Sequence, residues 1–261
     1  HVLVQGDTST AYAGSLLGVP LYHVEAGVRT YQADPDPEEH FRTEIDRVAL
    51  HGACASMGNH ENICREKNPD GPRNGWVDFP VTGNPGIDQL YHTVQPTTDR
   101  TDTVLITLHR RESHGPYLEA LAHGICRLAG SYPALQFLWP VHPNPAVRAV
   151  TDALPDLPNL YLCNPVDPVG FTASLAISHA VITDSGGVQE EAAALGVPAL
   201  IARPHTDRPE SVDTGSALLL GPDPDALSDL FPTVERLSRA PNPCFGDGHA
   251  APRILDYMET L

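Results

Sequence analysis

Lysine is nearly absent from this chain, in which Lys67 is the only example. Arginine supplies the other positive charges, but 33 acidic residues against 16 basic ones give a formal net charge of −17. Proteins that bind nucleic acid usually present a basic face, and no basic cluster stands out in this sequence. We therefore expect no nucleic-acid partner.

Long apolar runs are also missing. The longest, such as 217–220, fall far short of the ~20 residues that a membrane-spanning helix needs. Hydrophobic residues still make up 41% of the chain, which is enough for a packed core. We expect a folded protein with no membrane partner.

Cysteine is sparse, and its spacing suggests neither a disulfide framework nor a metal site. The five cysteines form no Cys-x-x-Cys pair. The 13 histidines are scattered, and His109 with His114 has no acidic or cysteine partner at ligand spacing. The sequence predicts reduced, buried cysteines, no metal and a cytoplasmic location. The cysteines are Cys54, Cys64, Cys126, Cys163 and Cys244.

Short apolar runs rich in β-branched residues alternate with longer amphipathic stretches. The predicted strands are 2–4, 19–24, 104–108, 137–141, 160–162, 180–183, 199–202 and 217–220. The clearest predicted helices are 117–129, 171–178, 188–195 and 249–261. Continuous apolar strands separated by helices indicate parallel sheets covered on both faces. The fold class is therefore α/β, with doubly wound parallel sheets.

Two Rossmann-like domains are expected. We place the first at residues 1–91 and the second at 92–240, starting from the polar, proline-bearing segment 92–102. The segment 241–261 ends in a helix that we expect to cross back to the first domain. Such sheets bind ligands at the carboxyl ends of their strands, so we expect the active site in the cleft between the domains.

Polar clusters near the predicted strand ends carry the candidate chemistry. Asp7 follows the first strand and is either a helix cap or a catalytic acid. Glu25 follows the second strand and either reacts or pairs with Arg29. Glu38 lies at a helix start, where the helix dipole alone would favour an acid. His109 follows the strand 104–108 and is either a proton shuttle or part of a solvated charge cluster.

The segment 183–191, TDSGGVQEE, has the features of an anion-binding turn. It follows a strand and opens a helix, whose free amides favour phosphate. Ser185, Gly186 and Gly187 would let a ligand approach the backbone closely, although such a turn is also common as a plain loop. Arg203 and Arg208 could add charged contacts.

Several motifs together resemble those of the UDP-N-acetylglucosamine 2-epimerases of the non-hydrolysing type. In chain order they are QGDTST at 5–10, HVEAGVRT at 23–30, PEEHFR at 37–42, VTGNPGID at 81–88, HRRES at 109–113, PVHPNP at 140–145, TDSGGVQEEAAALGVP at 183–198, RPHTDRPE at 203–210 and NPCFGDGHA at 242–250. They cover nearly the whole chain, and HVEAG combined with DSGGVQEE is a specific pair. The resemblance implies a GT-B-like fold.

The resemblance also implies a reaction. UDP-N-acetylglucosamine and UDP-N-acetylmannosamine would interconvert by anti elimination of UDP, giving 2-acetamidoglucal, and re-addition, with no cofactor. Asp7 and Glu38 would transfer the C2 proton, Glu25 would assist, and His109 would handle the leaving diphosphate. Such enzymes supply nucleotide sugars for cell-surface polysaccharides.

Further positions match the family's substrate-binding residues. Arg111, Ser185, Gly186, Gly187 and Glu191 fall on UDP-binding positions, with Glu191 suited to the ribose hydroxyls. Phe171 falls where the family holds uracil, and Arg208 is a further substrate-binding candidate. The expected partners are a UDP-sugar and, in the complete protein, a second copy in a homodimer.

The chain also departs from the family pattern. The family's opening strand and its Gly-Thr-Arg-Pro-Glu loop have no counterpart, so we expect an incomplete first domain and an N-terminal truncation that puts turnover by the chain alone in question. Phe41 and Ser113 stand where the family usually has Asn.

Other functions remain open at this level. A hydrolysing epimerase would release free N-acetylmannosamine and UDP, and a 2,3-diacetamido-sugar epimerase would differ only in its sugar-facing loops. A GT-B glycosyltransferase needs no base at C2, so the HVEAG and PEE clusters argue against it. An inactive UDP-sugar-binding fragment is the non-enzymatic alternative.

Overall fold

Strands and helices alternate along the chain in the computed structural model, which describes residues 2–32, 37–70, 78–110 and 115–261. The strands are β1 (Val2–Gln5), β2 (Leu21–Ala26), β3 (His51–Cys54), β4 (Thr103–Thr107), β5 (Gln136–Pro140), β6 (Leu160–Cys163), β7 (Ala180–Thr183), β8 (Ala199–Ile201) and β9 (Ala217–Leu219). The helices are α1 (Ser9–Ser15), α2 (Pro37–Val48), α3 (Met57–Lys67), α4 (Pro85–Thr93), α5 (Pro116–Ser131), α6 (Pro145–Thr151), α7 (Pro168–Ile177), α8 (Gly186–Leu195), α9 (Pro209–Asp213), α10 (Leu227–Val234) and α11 (Ala250–Met258).

All eight predicted strands are present, with ends that differ by no more than two residues. The sequence analysis missed β3, whose residues HGAC include none of the side chains most enriched in strands, which are Val, Ile, Thr, Tyr, Phe and Trp. The cysteine prediction is only partly right. Cys54 and Cys64 are buried, whereas Cys126, Cys163 and Cys244 are partly exposed.

The chain divides into two compact units. Unit 1 comprises His1–Gln89 together with Cys244–Leu261, and unit 2 comprises Leu90–Pro243. The terminal helix α11 thus belongs with the N-terminal part of the chain. No described helix has the length and apolar character that a bilayer crossing requires.

Unit 1 is built on a parallel sheet with the order β1-β2-β3. One face packs in a core that includes Val4, Ile45 and Phe79. On the other face, Ile254 of α11 packs with Tyr22 and neighbouring strand residues. The residues of β2 are buried almost without interruption, because apolar side chains pack against both faces of the sheet.

Unit 2 is built on a parallel sheet with the order β6-β5-β4-β7-β8-β9. Phe137, Trp139 and Phe231 are the largest side chains of its core. From β4 the chain first adds β5 and β6 on one side, and it then returns to place β7, β8 and β9 on the other side. The direction in which strands are added therefore reverses between β4 and β7. Ligands bind open α/β sheets at such a switch point, at the carboxyl ends of the strands.

Candidate active site

The turn after β1 presents Asp7. Gly6 adopts a left-handed backbone, with φ of 67°, which a glycine tolerates without strain. The cap of α1 is Thr8, whose hydroxyl oxygen accepts the amide hydrogen of Ala11 at 3.1 Å. Asp7 is therefore not the helix cap. One of its carboxylate oxygens lies 2.8 Å from the guanidinium of Arg42 instead.

The end of β2 presents Glu25 on an unusual backbone. Its φ is +73°, and the pairing with β3 shifts register beside it, as at a β-bulge. A glutamate in the left-handed region is a strained residue of a kind that often marks a functional site. Its carboxylate lies beside Gly6, where a Cβ added to the glycine would come within 3.3 Å of Oε2. Arg29 binds Asp46 and Glu66, and Asn84 approaches the Glu25 carboxylate at 3.5 Å.

The start of α2 carries two neighbouring acids with different surroundings. Glu39 is buried and accepts hydrogen bonds from the amides of Thr30 and Tyr31. Glu38 instead has a buried Oε2 with no hydrogen-bond partner among the described residues. A buried carboxylate oxygen without a donor is rare unless a ligand or a proton satisfies it. The two neighbouring acids therefore differ in their contacts, since Glu39 is hydrogen-bonded to a loop and Glu38 keeps one oxygen without a donor among the described residues.

Arg42 links these positions. Its Nη2 binds the Asp7 carboxylate, and its Nε donates to the backbone carbonyl of Glu38 at 3.3 Å. Arg42 therefore contacts the side chain of Asp7 and the backbone of Glu38, and the Glu25 carboxylate lies beside Gly6, the residue before Asp7. The structure thus places Asp7 and Glu25 beside the same turn, and it places Glu38 on the helix whose Arg42 binds Asp7.

A buried charge network lies behind these acids, and the sequence analysis missed it. His23, which is fully buried, contacts Asp46 at 2.5 Å. Burial alone would lower the pKa of His23, but the Asp46 carboxylate outweighs it and raises that pKa. Burial would likewise raise the pKa of Asp46, but His23 and Arg29 hold it below its usual value. The only sign of this network in the sequence was that His23 belongs to the HVEAG motif.

Unit 2 places its candidate residues at the switch point of its sheet. His109 follows β4, and Asp184 follows β7, the strand beside it. The fully buried Asp184 accepts the backbone amides of His109 and Arg110 at 3.0 and 2.9 Å. It also lies 3.4 Å from Nδ1 of His109. Asp184 therefore fixes the turn that carries His109, a role that the sequence analysis did not assign.

The N-terminus of α8 has the form expected of an anion site. Ser185 occupies the cap position, but its side chain makes no cap hydrogen bond. Gly187 is exposed, and a Cβ built on it would meet no atom within 4 Å. Gly186 is buried, and a Cβ there would lie 3.0 Å from the Arg208 guanidinium carbon. The first-turn amides that a helix cannot satisfy internally thus adjoin open space at Gly187.

Arginines gather near this helix start. Arg208 binds Glu190 at 2.8 Å and Asp207 at 2.5 Å, and Arg203 binds Asp207 at 2.9 Å. The pKa of Arg203 is lowered, first by burial and then by the charges of Arg110 and Arg208, although Asp207 opposes this. Arginine side chains suit phosphate recognition, although both of these also pair with the acids Glu190 and Asp207.

A cavity of about 400 Å³ opens beside His109 in unit 2. Phe171, Glu191 and His142 also line it, and the His142 ring stacks on that of His109 with centroids 5.7 Å apart. Burial raises the pKa of Glu191 to about 7. The cavity thus offers an aromatic ring, a carboxyl group and a paired imidazole, which suit a polar ring compound such as a nucleoside.

The structure therefore separates the candidate residues into two groups. Asp7, Glu25 and Glu38 lie in unit 1. Arg111, a predicted UDP-binding residue, lies outside the described residues. The candidates in unit 2 are His109, Phe171, Ser185, Gly186, Gly187, Glu191 and Arg208.

Sequence comparison connects these features with known proteins. The family model for UDP-N-acetylglucosamine 2-epimerase matches residues 1–259. The chain is 33% identical to the UDP-N-acetylglucosamine 2-epimerase of Salmonella borreze, over 100% of the chain and 75% of the relative. It is 37% identical to the Bacillus subtilis enzyme of the same name, over 98% of the chain and 71% of the relative.

Solved structures give the same result for the fold. The UDP-GlcNAc 2-epimerase of Neisseria meningitidis, bound to UDP-GlcNAc, superposes with a TM-score of 0.87 at 31% identity, covering 100% of this chain and 76% of that one. The Methanocaldococcus jannaschii enzyme, in complex with UDP-GlcNAc and UDP, gives 0.85 at 27% identity over 100% and 75%.

These likenesses confirm the predicted fold class, α/β with parallel sheets and GT-B-like. The family match spans nearly the whole chain and includes every motif on which the resemblance was based. The chain belongs to the UDP-N-acetylglucosamine 2-epimerase family, whose members are isomerases.

Proposed function

We propose that this chain interconverts UDP-N-acetylglucosamine and UDP-N-acetylmannosamine without releasing free sugar. Family membership supports the reaction class, and the relatives solved with UDP-GlcNAc support the substrate. The proposal assigns proton transfer at C2 to unit 1 and the binding of UDP to unit 2.

The observation that carries the proposal is the contrast between Asp7 and Glu38. Arg42 binds one carboxylate oxygen of Asp7 at 2.8 Å, whereas Glu38 keeps a buried oxygen without a donor among the described residues. Inverting a carbon by proton removal and return needs one group that accepts a proton and one that supplies it. Two carboxyl groups in different environments meet that need.

The proposed reaction balances within the substrate. One of Asp7 and Glu38 takes the C2 proton, and the electrons of that bond form a C1–C2 double bond. The bond between C1 and the diphosphate oxygen breaks in the anti orientation, so that UDP and 2-acetamidoglucal form. The other carboxyl group then returns a proton to the opposite face of C2, and the diphosphate oxygen adds again to C1.

Glu25 and His109 have supporting roles in this scheme. The strained backbone of Glu25 directs its carboxylate toward the Gly6–Asp7 turn, where it would orient the acid or the sugar. His109 lies where β4 ends, fixed by Asp184, and would supply charge or a proton to the leaving diphosphate. A group that is held in place before the reaction stabilises developing charge most effectively.

The UDP would be held mainly by backbone and ring contacts. The free amides at the start of α8, around Ser185, Gly186 and Gly187, suit the diphosphate, with Arg208 adding positive charge. Phe171 and Glu191, which line the cavity, suit the uracil ring and the ribose hydroxyls. Because the reaction is an isomerisation with no net redox change, it requires no redox cofactor.

Proton NMR of UDP-N-acetylglucosamine incubated with the protein in deuterated water tests the proposal. We expect UDP-N-acetylmannosamine to appear with deuterium at C2. Free N-acetylmannosamine with UDP would transfer the assignment to a hydrolysing epimerase. No change in the sugar, with UDP still bound in a separate titration, would reduce the chain to a UDP-binding protein and refute the epimerase proposal.

A further inference from the structure

We propose that Asp46, together with His23, is the positioning residue that holds the turns of Asp7 and Glu25 in register. The inference deepens the proposed function and rests on it. Neither residue has a candidate role in the chemistry, since both are almost completely buried. Instead, hydrogen bonds connect the Asp46 carboxylate to two separate turns, to one of them through the His23 ring and to the other directly.

The first connection leads to Asp7. Oδ1 of Asp46 lies 2.5 Å from Nδ1 of His23, and Nε2 of the same ring lies 2.9 Å from the carbonyl oxygen of Gly6. A carbonyl oxygen only accepts, so Nε2 must carry a hydrogen, and the carboxylate at Nδ1 calls for a second one. The ring is therefore a cation that donates a hydrogen bond to the carbonyl oxygen of Gly6, the residue directly before Asp7.

The second connection leads to Glu25. Oδ2 of Asp46 accepts the backbone amide of Gly27 at 3.0 Å. Gly27 has a φ of 81°, and a Cβ there would lie 2.1 Å from the carbonyl oxygen of Asn59, so its backbone packs directly on α3. Anchoring Gly27 from both sides fixes the chain two residues after Glu25, whose strained backbone needs such support.

The charges of the four groups that contact one another in this network balance. Arg29 binds Asp46 at 2.8 Å and Glu66 at 2.7 Å, so two carboxylates face one guanidinium and one imidazolium. Removing one partner of such a buried set leaves an uncompensated charge. The network therefore resists partial displacement, as a positioning device requires.

Helix α2 joins this anchor to the reacting groups. Glu38, Arg42 and Asp46 are spaced four residues apart and so lie on one face of the helix. One rigid element thereby carries a reactive carboxyl group, the arginine that binds Asp7 and the anchor for both turns. A misplacement of about 1 Å can lower a rate about 100-fold, so this register bears directly on turnover.

The test compares Asp46→Asn, which keeps the shape but removes the charge, with His60→Gln. His60 is a matched control because it also binds a backbone carbonyl of unit 1, that of Phe79, at 2.8 Å. We measure kcat, KM, the Kd for UDP and amide hydrogen exchange by NMR. For Asp46→Asn we expect kcat to fall about 100-fold, the Kd to stay within about twofold, and exchange at Gly6 and Gly27 to accelerate.

A second variant keeps the test decisive if Asp46→Asn unfolds. His23→Asn retains a donor near Asp46 but loses the one that reaches Gly6, so exchange should accelerate at Gly6 and not at Gly27, with a lower kcat. Unchanged exchange at both glycines, unchanged kcat, or an equal loss of kcat in His60→Gln would each overturn the inference. Absence of turnover in the parent protein would instead refute the proposed function, and the exchange data would still decide whether the anchor exists.

Discussion

The two units hold their candidate residues in different ways. Unit 1 relies on side chains that meet from distant parts of the sequence, such as Arg42 with Asp7 and His23 with Asp46. In unit 2 the proposed diphosphate site relies mainly on the backbone, because the start of α8 supplies amides from consecutive residues. Chemistry that depends on side-chain geometry and binding that depends on a helix end should respond differently to mutation.

The sharpest test of that difference is Glu38→Gln. The amide keeps the size of the side chain but cannot exchange a proton, so turnover should fall at least about 100-fold. The Kd for UDP should not change, because the proposed UDP site lies in unit 2. Steady-state kinetics and calorimetry with UDP provide the two measurements.

A control on the same helix is Glu44→Gln. Glu44 pairs only with the exposed Arg47 at 2.7 Å among the contacts described for it, so turnover should be preserved. If Glu38→Gln weakened turnover and UDP binding to the same extent, the assignment of proton transfer to unit 1 would be wrong.

The complementary test in unit 2 is Gly187→Val. The side chain would enter open space at the start of α8, so the fold should be preserved while the amides become obstructed. We expect the Kd for UDP to rise about 30-fold, which corresponds to about 2 kcal/mol. Calorimetry measures the affinity, and thermal unfolding reports on the fold.

Gly130→Val is the matched control, since Gly130 also lies in a helix of unit 2 with open space around it. Unchanged UDP affinity in Gly187→Val would show that the diphosphate binds elsewhere. An equal loss in both variants would point to a general effect of valine on unit 2.

A smaller effect is expected from pH at Glu191. Its pKa rises from the usual 4.5 to about 7 on folding, because burial disfavours the charged form. Between these pH values the folded state binds more protons than the unfolded state, so the stability of the protein falls as pH rises. The stability that the protonated Glu191 provides is complete below about pH 4.5 and is lost above about pH 7. Glu191→Gln should therefore gain about 5 °C in Tm relative to the parent protein between pH 5 and pH 8.

Differential scanning fluorimetry across that pH range makes the measurement. Glu119→Gln, an exposed position in the same unit, should follow the parent protein at every pH. A constant difference in Tm between Glu191→Gln and the parent would contradict the proposed burial effect.

The sequence predicted those parts of the fold that depend on local patterns. The continuous apolar strands and the TDSGG turn that opens α8 were visible because a strand, a cap and a helix start are encoded by neighbouring residues. Positions near strand ends and at a helix start made Asp7, Glu25, Glu38 and His109 candidates, and the resemblance to the family then gave each a possible role.

The remaining features depend on contacts that no local pattern encodes. Glu38 and Glu39 are identical in type, yet only the fold shows that Glu39 caps a loop while Glu38 retains an unpaired oxygen among the described contacts. The roles of Asp184 and Asp46 likewise arise from hydrogen bonds to the amides of His109 and Gly27, which are remote in sequence.

The left-handed backbone at Glu25 has a consequence for engineering this protein. Glycine would adopt that conformation without the strain of about 1 kcal/mol or more that a glutamate bears there. A selection for thermal stability alone would therefore favour replacing Glu25, and the more stable protein would have lost a carboxylate from its proposed active site. Screens for more thermostable variants of this chain should therefore measure turnover as well as melting temperature.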